Sequence, residues 1–570
     1  MKKIFFIALL LPTLIFAQKN QEELQKAQKQ INTYGDVYFK LPIKNKFDLK
    51  KLPKYISIDS RSINGNYIKA YVPKKHFQDL LELHLNFEVV PKKKSNKSLT
   101  MAHTIGEMSN WNRYPTYSVY VQMMQKFASD YPDLAVLDTI GYSHDNHLVL
   151  ALKITDNPHV DEDEPEFFYS AQMHGDELIG QIVMLRLIDY LLSNYNSDPQ
   201  VQNLVDNVEI WINPLANPDG LYNGSDNDVS YATRYLYNWI DPNRNFPAPN
   251  STHPDGEAYA QETSDMMQFM TDHYFNLSAN IHGGAEVANY PWDTWESSTK
   301  THPDDNWWRY VCSEYANTVF SNSSGGYFKD VTSNGITEGG DWYVIEGGRQ
   351  DYMTYFKNGR EMTLELSRDK MPASNSLPQY WNYNYRSLIK YIKQSLNGLR
   401  GIVTDADTGE PLEAKIEIAD HDRDNSFVYS YLPVGDYHRY LKSGNYSVTY
   451  SKTGYVSQTI NIHITDDNVV VKNVALHKTV DVDQNILKEN IKIYPNPVKN
   501  QSVKILSNIN IEKLDITLYN SVGAKIMDLK NLNLSSGQTI QIPVQHLTSG
   551  FYFINLTTPN NSLFKKILIE

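Results

Sequence analysis

The pattern of hydrophobic and polar positions divides the chain into four regions after residue 17. From 101 to 397, short apolar runs typical of strands alternate with longer helical runs, which predicts an α/β domain with a largely parallel or mixed sheet. Apolar and polar residues alternate in 398–478, and 490–570 is again rich in strand-forming runs, which predicts two small all-β sandwich domains. Residues 18–100 combine a helical start with short strands and predict a small α+β domain.

The N-terminus has the pattern of a secretion signal. Lys2 and Lys3 precede an apolar run that ends at Phe16, and the small residue Ala17 follows. This pattern is typical of a cleavable signal peptide, here residues 1–17. The apolar run is shorter than the ~20 residues that span a bilayer, which argues against the alternative of a retained anchor. No later segment is apolar enough to span, so we expect a secreted or cell-surface protein without a transmembrane segment.

A basic, polar stretch, PKKKSNK, occupies residues 91–97 and predicts an exposed linker. Two interpretations of residues 18–100 are therefore open. The region is either a prosegment that proteolysis at these lysines releases, or an ordinary N-terminal domain.

Charge and cysteine content exclude several classes of function. Lys and Arg number 53 and Asp and Glu 66, which gives a net charge of −13 and argues against nucleic acid as the main partner. The single cysteine, Cys312, rules out an intrachain disulfide framework and a multi-cysteine metal site within one chain. We interpret Cys312 as a small buried hydrophobic residue. The composition leaves the oligomeric state open.

Two histidines and a glutamate are candidate metal ligands. His174 follows an apolar strand and Glu177 opens the next helical run, with Gly175 permitting a turn between them. His282 ends another short strand and precedes two glycines. Two imidazoles and a carboxylate suit a catalytic zinc, which takes three protein ligands and keeps one position for water.

Six motifs in this order and spacing resemble the zinc metallocarboxypeptidase family, and within it the regulatory, carboxypeptidase N/E-like branch. They are HGDE (174–177), NPLANPDG (213–220), DPNRNFP (241–247), IHGG (281–284), GGRQDY (347–352) and TLELS (363–367). The resemblance covers roughly residues 110–478. It implies a catalytic domain built on a mixed eight-stranded sheet with flanking helices, and one Zn²⁺ per catalytic domain.

The resemblance also implies roles around the metal. His174, Glu177 and His282 would bind zinc, which lowers the pKa of a bound water. Asp241 would hydrogen-bond a zinc-binding histidine and thereby fix its tautomer.

Glu365 matches the catalytic glutamate of the family. It would be the general base on the zinc water and then the proton donor to the leaving amine. It lies on the apolar strand 362–367, where a carboxylate is costly without a function or a partner. Glu361 is the other nearby carboxylate and falls outside the motif. Arg234 would face the developing oxyanion.

Five further residues would select the substrate. Asn243 and Arg244 match the pair that grips the terminal carboxylate, since a guanidinium meets a carboxylate through two hydrogen bonds. Tyr343 would close over the same carboxylate. Asp293 resembles the aspartate that pairs with a basic side chain at the substrate's C-terminus, and Gln350 occupies a polar position of the same pocket.

Two features depart from the regulatory branch. Asp176 stands where that branch usually has Asn. An N-terminal segment such as 18–100 is also unusual there and is more typical of the digestive, zymogen-type branch.

The two β-rich regions resemble accessory domains. Through GIVTD (401–405), TGEPL (408–412) and GNYSV (444–448), residues 398–478 resemble the transthyretin-like domain of the regulatory branch. This resemblance implies structural support, with carbohydrate binding as an open alternative. Residues 490–570 resemble the C-terminal sorting domain of the type IX secretion system, through YPNP (494–497), LTSGFY (547–552) and the pair Lys565–Lys566. This implies the type IX machinery as a partner; another extracellular β-sandwich is the alternative.

The leading hypothesis is a secreted zinc carboxypeptidase that acts on peptide or protein C-termini and removes Arg or Lys. A peptidoglycan-stem amide hydrolase is a second hypothesis, against which the Asn243–Arg244 pair argues. A catalytically inactive protein that binds peptides or glycans is a third. The complete set of ligands, together with Glu365, favours an active enzyme.

Overall fold

A computed structural model describes residues 10–43, 52, 55–59, 67–91, 98–479, 484–499, 501–559 and 561–570. The chain divides into two compact units, residues 1–453 with 457–476, and residues 454–456 with 477–570. Across the described ranges, no helix combines the length and apolar character needed to cross a membrane. Residues 1–9 of the predicted signal and 92–97 of the predicted linker lie outside these ranges, so both stay predictions.

The first unit opens with a four-stranded antiparallel sheet, the N-terminal sheet, in the order β2-β3-β1-β4. Its elements are α1 (Leu10–Tyr34), β1 (Asp36–Pro42), β2 (Ser57–Asp59), β3 (Tyr67–Pro73), α2 (Phe77–Glu82) and β4 (Glu88–Val89), with a 3-10 turn at Lys74–His76. Val37 and Phe39 alternate with polar positions along β1 and pack with Ile31 of α1 and Leu80 of α2 in one core. The predicted helix and short strands of this region are confirmed.

Residues 98–397 contain ten strands and nine α-helices. The strands are β5 (Met101–Ala102), β6 (Tyr114–Pro115), β7 (Ala135–Tyr142), β8 (Leu148–Ile154), β9 (Glu166–Ala171), β10 (Glu209–Asn213), β11 (Leu277–His282), β12 (Glu286–Tyr290), β13 (Ile336–Glu338) and β14 (Arg360–Leu366). The helices are α3 (Tyr117–Asp130), α4 (Ile179–Asn194), α5 (Pro199–Val205), α6 (Pro218–Leu221), α7 (Gln261–Asp272), α8 (Asp305–Asn322), α9 (Gly339–Trp342), α10 (Arg349–Phe356) and α11 (Leu377–Lys393). Short 3-10 turns lie at Ile105–Met108, Tyr237–Trp239, Pro242–Arg244, Ser374–Ser376 and Gln394–Leu396.

Eight of these strands form one mixed sheet in the order β13-β12-β14-β11-β9-β10-β8-β7, which confirms the predicted architecture. Helices cover both faces, so the central strands are buried on both sides, as is usual for parallel strands. On β9, Phe167 and Tyr169 pack in one core with α4, α8 and α11, whereas Phe168 between them packs in a second core with α7 and α10.

The register of three parallel strands places candidate catalytic residues at one edge of the sheet. Strands β9, β11 and β14 are parallel neighbours, and Ile281 of β11 is paired with Ala171 of β9. His282, the last residue of β11, is paired with Glu365 of β14. Parallel strands end at the same edge of a sheet, so the residues that follow β9 lie near His282 and Glu365. This edge is the position where α/β sheets bind ligands.

Residues 398–476 form two four-stranded sheets, which confirms that this region is β-rich. The strands are β15 (Gly398–Asp405), β16 (Lys415–Ile418), β17 (Val428–Tyr429), β18 (Asp436–Arg439), β19 (Gly444–Ser451), β20 (Gln458–Ile464), β21 (Val469–Val471) and β22 (Val474–Leu476). Tyr437 of one sheet and Tyr450 of the other join their hydroxyls at 2.8 Å, and both rings are buried. The two inner faces therefore share a core.

The second unit contains a three-stranded and a four-stranded sheet. Its elements are α12 (Gln484–Asn490), β23 (Ile491–Tyr494), β24 (Ser502–Ser507), β25 (Ile511–Asn520), β26 (Lys525–Leu534), β27 (Thr539–Pro543), β28 (Gly550–Thr558) and β29 (Asn561–Ile569). Alternate residues such as Leu514, Ile516 and Leu518 of β25 point into one core, with Ile554 of β28. The predicted β-rich unit is thus confirmed.

Candidate active site

Three of the predicted ligands bring one atom each to a common point. Nδ1 of His174 and Nδ1 of His282 lie 3.1 Å apart, and Oε2 of Glu177 lies 3.1 Å and 2.8 Å from them. All three residues are buried. Two ligand atoms of a tetrahedral zinc are separated by roughly 3.3 Å when each bond is about 2.0–2.1 Å, so the donor set and its spacing fit zinc. Metal-binding groups of this kind hold the ion through neutral imidazoles and a carboxylate.

Close packing of the main chain explains why a glycine occupies the turn between the first two ligands. A Cβ at Gly175 would lie 2.2 Å from the carbonyl carbon of Gly220 and 2.5 Å from the carbonyl oxygen of Thr233. Only glycine fits, because real Cβ atoms do not approach so closely. Glycine is thus required at 175 because a larger residue would clash, and also because the chain turns there. Glu177 lies in this turn and α4 begins two residues later.

The outer nitrogen of each histidine also has a neighbour. Nε2 of His174 lies 3.1 Å from Oδ1 of Asp241, as the sequence predicts. Nε2 of His282 lies 2.8 Å from Nδ2 of Asn280, an amide nitrogen that donates. When Nδ1 binds a metal, Nε2 carries the proton, so Oδ1 of Asp241 fixes the tautomer of His174 by accepting that proton. Asn280 was missed, although its position two residues before His282 on one strand places both on the same face.

Burial and neighbouring charges set the ionisation of the triad. Burial opposes the charge on Glu177, but the charges of His174 and Lys370 outweigh it and hold the pKa of Glu177 well below its usual value. Burial lowers the pKa of His282 to about 4, although its hydrogen bond to Glu177 opposes the shift. A neutral imidazole and an ionised carboxylate are the forms that bind a metal.

Glu365 lines the same cleft beside His282. Its Oε2 is buried and has no hydrogen-bond partner among the residues that the structure describes. Burial and the negative charge of Glu177 raise the pKa of Glu365 to about 8. Such a carboxylate is suited to take up and release a proton near neutral pH.

Arg234 is held between the triad and Asp241. Its Nε donates to Oδ2 of Asp241 at 2.9 Å, and its Nη1 lies 3.4 Å from Oε1 of Glu177. The guanidinium is buried and lines the cleft. Its charge and that of His174 overcome the effect of burial and hold the pKa of Asp241 well below the usual range.

The structure brings most of the predicted residues into one cleft. Those that line it are His174, Glu177, Arg234, Asn243, His282, Asp293, Tyr343 and Glu365. Arg244 lines an adjoining cavity that shares the Tyr343 wall. Asp241 lies behind His174, and Gln350 is buried with neither amide atom bonded to a described residue.

The two residues predicted to bind a carboxylate are neighbours in a 3-10 turn. Oδ1 of Asn243 accepts from the main-chain nitrogen of Arg349 at 3.1 Å, which leaves its amide nitrogen as the donor available to a ligand. Nη1 of Arg244 donates to the carbonyl oxygen of Asn243 at 2.7 Å. Tyr343 lines both cavities.

Asp293 is a buried carboxylate at the wall of the cleft. Nδ2 of Asn289 donates to its Oδ1 at 3.0 Å, and a Cβ on Gly339 would lie 1.8 Å from that oxygen. Burial and the charge of Asp351 raise the pKa of Asp293 well above its usual value. Asp351 in turn accepts from the main-chain nitrogens of Asp293 and Thr294. Glycine at 339 is thus required to leave room for the carboxylate.

The N-terminal sheet also reaches the cleft, which the sequence did not predict. Oγ of Ser57 donates to Oδ2 of Asp241 at 2.6 Å. Ile58, Asp59 and Tyr71 line the cleft beside the triad. This contact joins segments almost two hundred residues apart, and no local pattern in the sequence signals it.

Comparisons with known proteins decide the family. A family profile described as zinc carboxypeptidase matches residues 120–387, the range that holds every predicted site residue. Carboxypeptidase M of Mus musculus is 35% identical over 351 residues, which cover 60% of this chain and 78% of that protein. The chain belongs to the zinc carboxypeptidase family. The predicted resemblance is therefore confirmed.

Further proteins are similar to parts of this chain. Carboxypeptidase D of Mus musculus is 36% identical over 376 residues, which cover 64% of the chain and 27% of that longer protein. The crystal structure of carboxypeptidase A from Helicoverpa armigera covers 64% of the chain at 16% identity, with a TM-score of 0.48. Residues 492–570 match a profile described as a secretion system C-terminal sorting domain, so the protein is secreted to the cell surface or beyond.

Proposed function

We propose that this protein is a zinc metallocarboxypeptidase that removes a C-terminal Arg or Lys from peptides or proteins. One arrangement carries the proposal. The triad and Glu365 lie in a single cleft with Asn243, and a buried carboxylate, Asp293, forms its wall. This combination supports hydrolysis of the last peptide bond of a substrate whose C-terminal residue has a positively charged side chain.

His174, Glu177 and His282 would hold one zinc ion through Nδ1, Oε2 and Nδ1. Zinc supplies a Lewis acid that polarises the peptide carbonyl and lowers the pKa of a water. The protein residues do the remaining work. Glu365 accepts a proton from the attacking water and returns it to the departing amine, for which its free Oε2 and raised pKa suit it.

Arg234 would stabilise charge on the carbonyl oxygen of the scissile bond. Its guanidinium is already oriented, because Asp241 holds Nε while Nη1 faces the triad. A donor that is fixed before the reaction lowers the barrier without a cost of reorganisation.

Recognition of a chain end would come from two sides. The Asn243 amide nitrogen and the Arg244 guanidinium would bind the terminal carboxylate, and Tyr343 would cover it. Asp293 would pair with the basic side chain, with Gln350 behind it. A fixed carboxylate distinguishes a cation from an apolar side chain, since the cation gains a charge-assisted hydrogen bond.

The test is release of the last residue from peptides that end in Arg, Lys, Phe or Asp, each with and without a chelator. Chelator-sensitive release from Arg and Lys ends is expected. Release from Phe ends alone would keep the mechanism and discard the role of Asp293. No release from any peptide would favour a peptidoglycan-stem amide hydrolase or an inactive binding protein. The Asn243–Arg244 pair and the complete triad argue against both.

We further propose that the N-terminal sheet is a prosegment that restricts the cleft until the chain is cut at the lysines of 91–97, which are Lys92, Lys93, Lys94 and Lys97. Three of its residues line the cleft and Ser57 binds Asp241, so the sheet covers part of the site. Limited proteolysis of the folded protein should raise the rate of release. A variant with Gln at all four lysines is the control and should not be activated. Equal rates before and after cutting would show an ordinary N-terminal domain.

The accessory regions would serve secretion and support. We propose the type IX machinery as the partner of the sorting domain, because the YPNP and LTSGFY motifs resemble that class. The sheets of 398–476 would act as a structural support for the catalytic part. Buried charge pairs between the two, such as Arg439 with Asp304, favour this role over carbohydrate binding.

A further inference from the structure

Lys370 is a charged residue of the cleft that is neither a predicted metal ligand nor one of the proposed catalytic groups. It follows β14 and lines the cleft, and its side chain is 16% exposed. Nζ of Lys370 lies 3.1 Å from both carboxylate oxygens of Asp176 and 3.2 Å from Oε1 of Glu177. One ammonium therefore contacts two consecutive acidic residues, of which the second is a predicted metal ligand.

The main chain of Lys370 holds the same turn. Its carbonyl oxygen accepts from the main-chain nitrogen of Leu178 at 2.8 Å. The three consecutive residues Asp176, Glu177 and Leu178 are thus fixed by a single residue nearly two hundred positions away. The ring of Tyr71 lies 5.2 Å from Nζ and adds a cation–π contact.

The two oxygens of Glu177 have different surroundings. Oε2 faces the Nδ1 atoms of His174 and His282, and also the main-chain nitrogen of Gly283 at 3.2 Å. Oε1 faces away from them, toward Nζ of Lys370 at 3.2 Å and Nη1 of Arg234 at 3.4 Å. The carboxylate therefore presents one oxygen to the metal position and the other to two cations.

We propose that Lys370 is a positioning residue, which holds Oε1 of Glu177 and, with Asp176, fixes the turn so that Oε2 stays aimed at the zinc. This inference rests on the proposed zinc site. Partners that orient a ligand in this way typically change metal affinity or activity about 10- to 100-fold. Lys370 is assigned no contact with substrate.

The same contact bears on Arg234. Both cations reach Oε1 of Glu177, and Arg234 is also the residue proposed to serve the substrate carbonyl. Because Lys370 also contacts Oε1, that buried carboxylate oxygen keeps a cationic partner when Nη1 of Arg234 engages the substrate carbonyl. An unpaired buried charge would be costly.

A solvated ion pair is the alternative explanation. Exposed lysine–aspartate pairs contribute little, about 0–1 kcal/mol. Lys300 offers a matched control of that kind, since Nζ lies 2.8 Å from Asp424, lies over the ring of Trp295, and its side chain is 34% exposed. If Lys370 formed only a weak, solvated ion pair, its substitution should have the same effect as substitution of Lys300.

The experiment measures how fast zinc passes from the full-length holoenzyme to a chromophoric chelator. Lys370→Met should release zinc about 10- to 100-fold faster than the wild type, as for other residues that orient a ligand. Lys370→Arg should restore slow release in part, because it keeps a cation near Oε1. Lys300→Met should release zinc at the wild-type rate. Equal rates for Lys370→Met and Lys300→Met would overturn the inference, and if Lys370→Met does not fold, Lys370→Gln is measured in its place.

Asp176→Asn separates the two contacts of Lys370. The amide removes the charge of the partner but leaves the ammonium on Glu177, so release should stay closer to the wild type than in Lys370→Met. Release as fast as in Lys370→Met would overturn the assignment to Glu177. With saturating zinc, Lys370→Met should lower kcat and leave KM for an Arg-ended peptide unchanged, whereas a raised KM alone would contradict a positioning role.

The result also separates this inference from the proposed function. A wild-type protein that binds no zinc would refute the proposed function itself. A wild-type protein that binds zinc tightly, with an unaffected Lys370→Met variant, would refute only the role of Lys370.

Discussion

Arg439 and Asp304 are joined by two hydrogen bonds, Nη1 to Oδ2 at 2.7 Å and Nη2 to Oδ1 at 2.9 Å, and both side chains are fully buried. Arg439 ends β18, whereas Asp304 precedes α8 of the α/β part. Nε of Arg360, the first residue of β14, donates to the same carboxylate at 2.9 Å. Since β14 also carries Glu365, the sheets of 398–476 are tied to a strand of the active site.

Removing one partner of this buried pair should destabilise the first unit. We expect Arg439→Ala to cost about 3–5 kcal/mol, because it leaves Asp304 buried with less compensation. Calorimetry of the full chain measures the loss as a lower transition temperature. Lys442→Ala is the control, since its pair with Asp466 is partly exposed and should contribute about 0–1 kcal/mol. Equal shifts in both variants would contradict a special role for the buried pair.

Glu365→Gln should abolish turnover but not metal binding. The amide cannot accept a proton, so kcat should fall about 10²- to 10⁴-fold, the usual contribution of a general base. Glu365 is not one of the three ligands, so the zinc content per chain should remain that of the wild type. His282→Gln is the contrasting variant and should lose both zinc and activity. A near-normal kcat for Glu365→Gln would show that another group is the general base.

The zinc ligands show how much of this site the sequence could predict. Local patterns predicted a largely parallel or mixed sheet, the ends of β9 and β11, and His174, Glu177 and His282 as candidate ligands. These features depend on short stretches of chain, where strand direction and turn residues decide the geometry. The resemblance to the family, rather than any local pattern, grouped the three at one metal. The roles of His282 and Glu365 followed from the family motifs, and the structure adds that the two residues are paired across parallel strands.

Other parts of the site depend on contacts that no local pattern encodes. Ser57 reaches Asp241, and Lys370 reaches Asp176 and Glu177, only because distant segments pack side by side. A serine on a short strand or a lysine after a strand is ordinary in itself. Such partners are fixed by tertiary packing, so only the folded structure identifies them.

Removing the metal should destabilise one unit and not the other. A ligand that binds only the folded state stabilises it by about 4 kcal/mol when its concentration is 1,000 times Kd. The three ligands all belong to the first unit, so a chelator should lower the transition temperature of that unit alone. Calorimetry with and without chelator tests this, and added zinc should reverse the shift. A chelator effect on the second unit instead would contradict the assigned metal position.

The raised pKa of Asp293 should make the selection of basic residues depend on pH. Burial and the charge of Asp351 keep the carboxyl protonated at pH values where an ordinary aspartate, with a pKa of about 3.9, is ionised. A cationic side chain pairs with the ionised form, so binding an Arg-ended peptide must release a proton. KM for that peptide should therefore fall as pH rises through the pKa of Asp293, and KM for a Phe-ended peptide should not.

The ratio of the two KM values isolates this effect, because protonation of the shared catalytic groups cancels. Asp293→Asn is the control: it should flatten the pH dependence of the ratio. It should also cost about 2–5 kcal/mol for Arg ends, roughly 30-fold or more in kcat/KM, as for other truncated charge pairs. The asparagine amide keeps the shape of the side chain, so activity on Phe ends should survive. A wild-type ratio that is constant with pH would show that the basic side chain does not bind at Asp293.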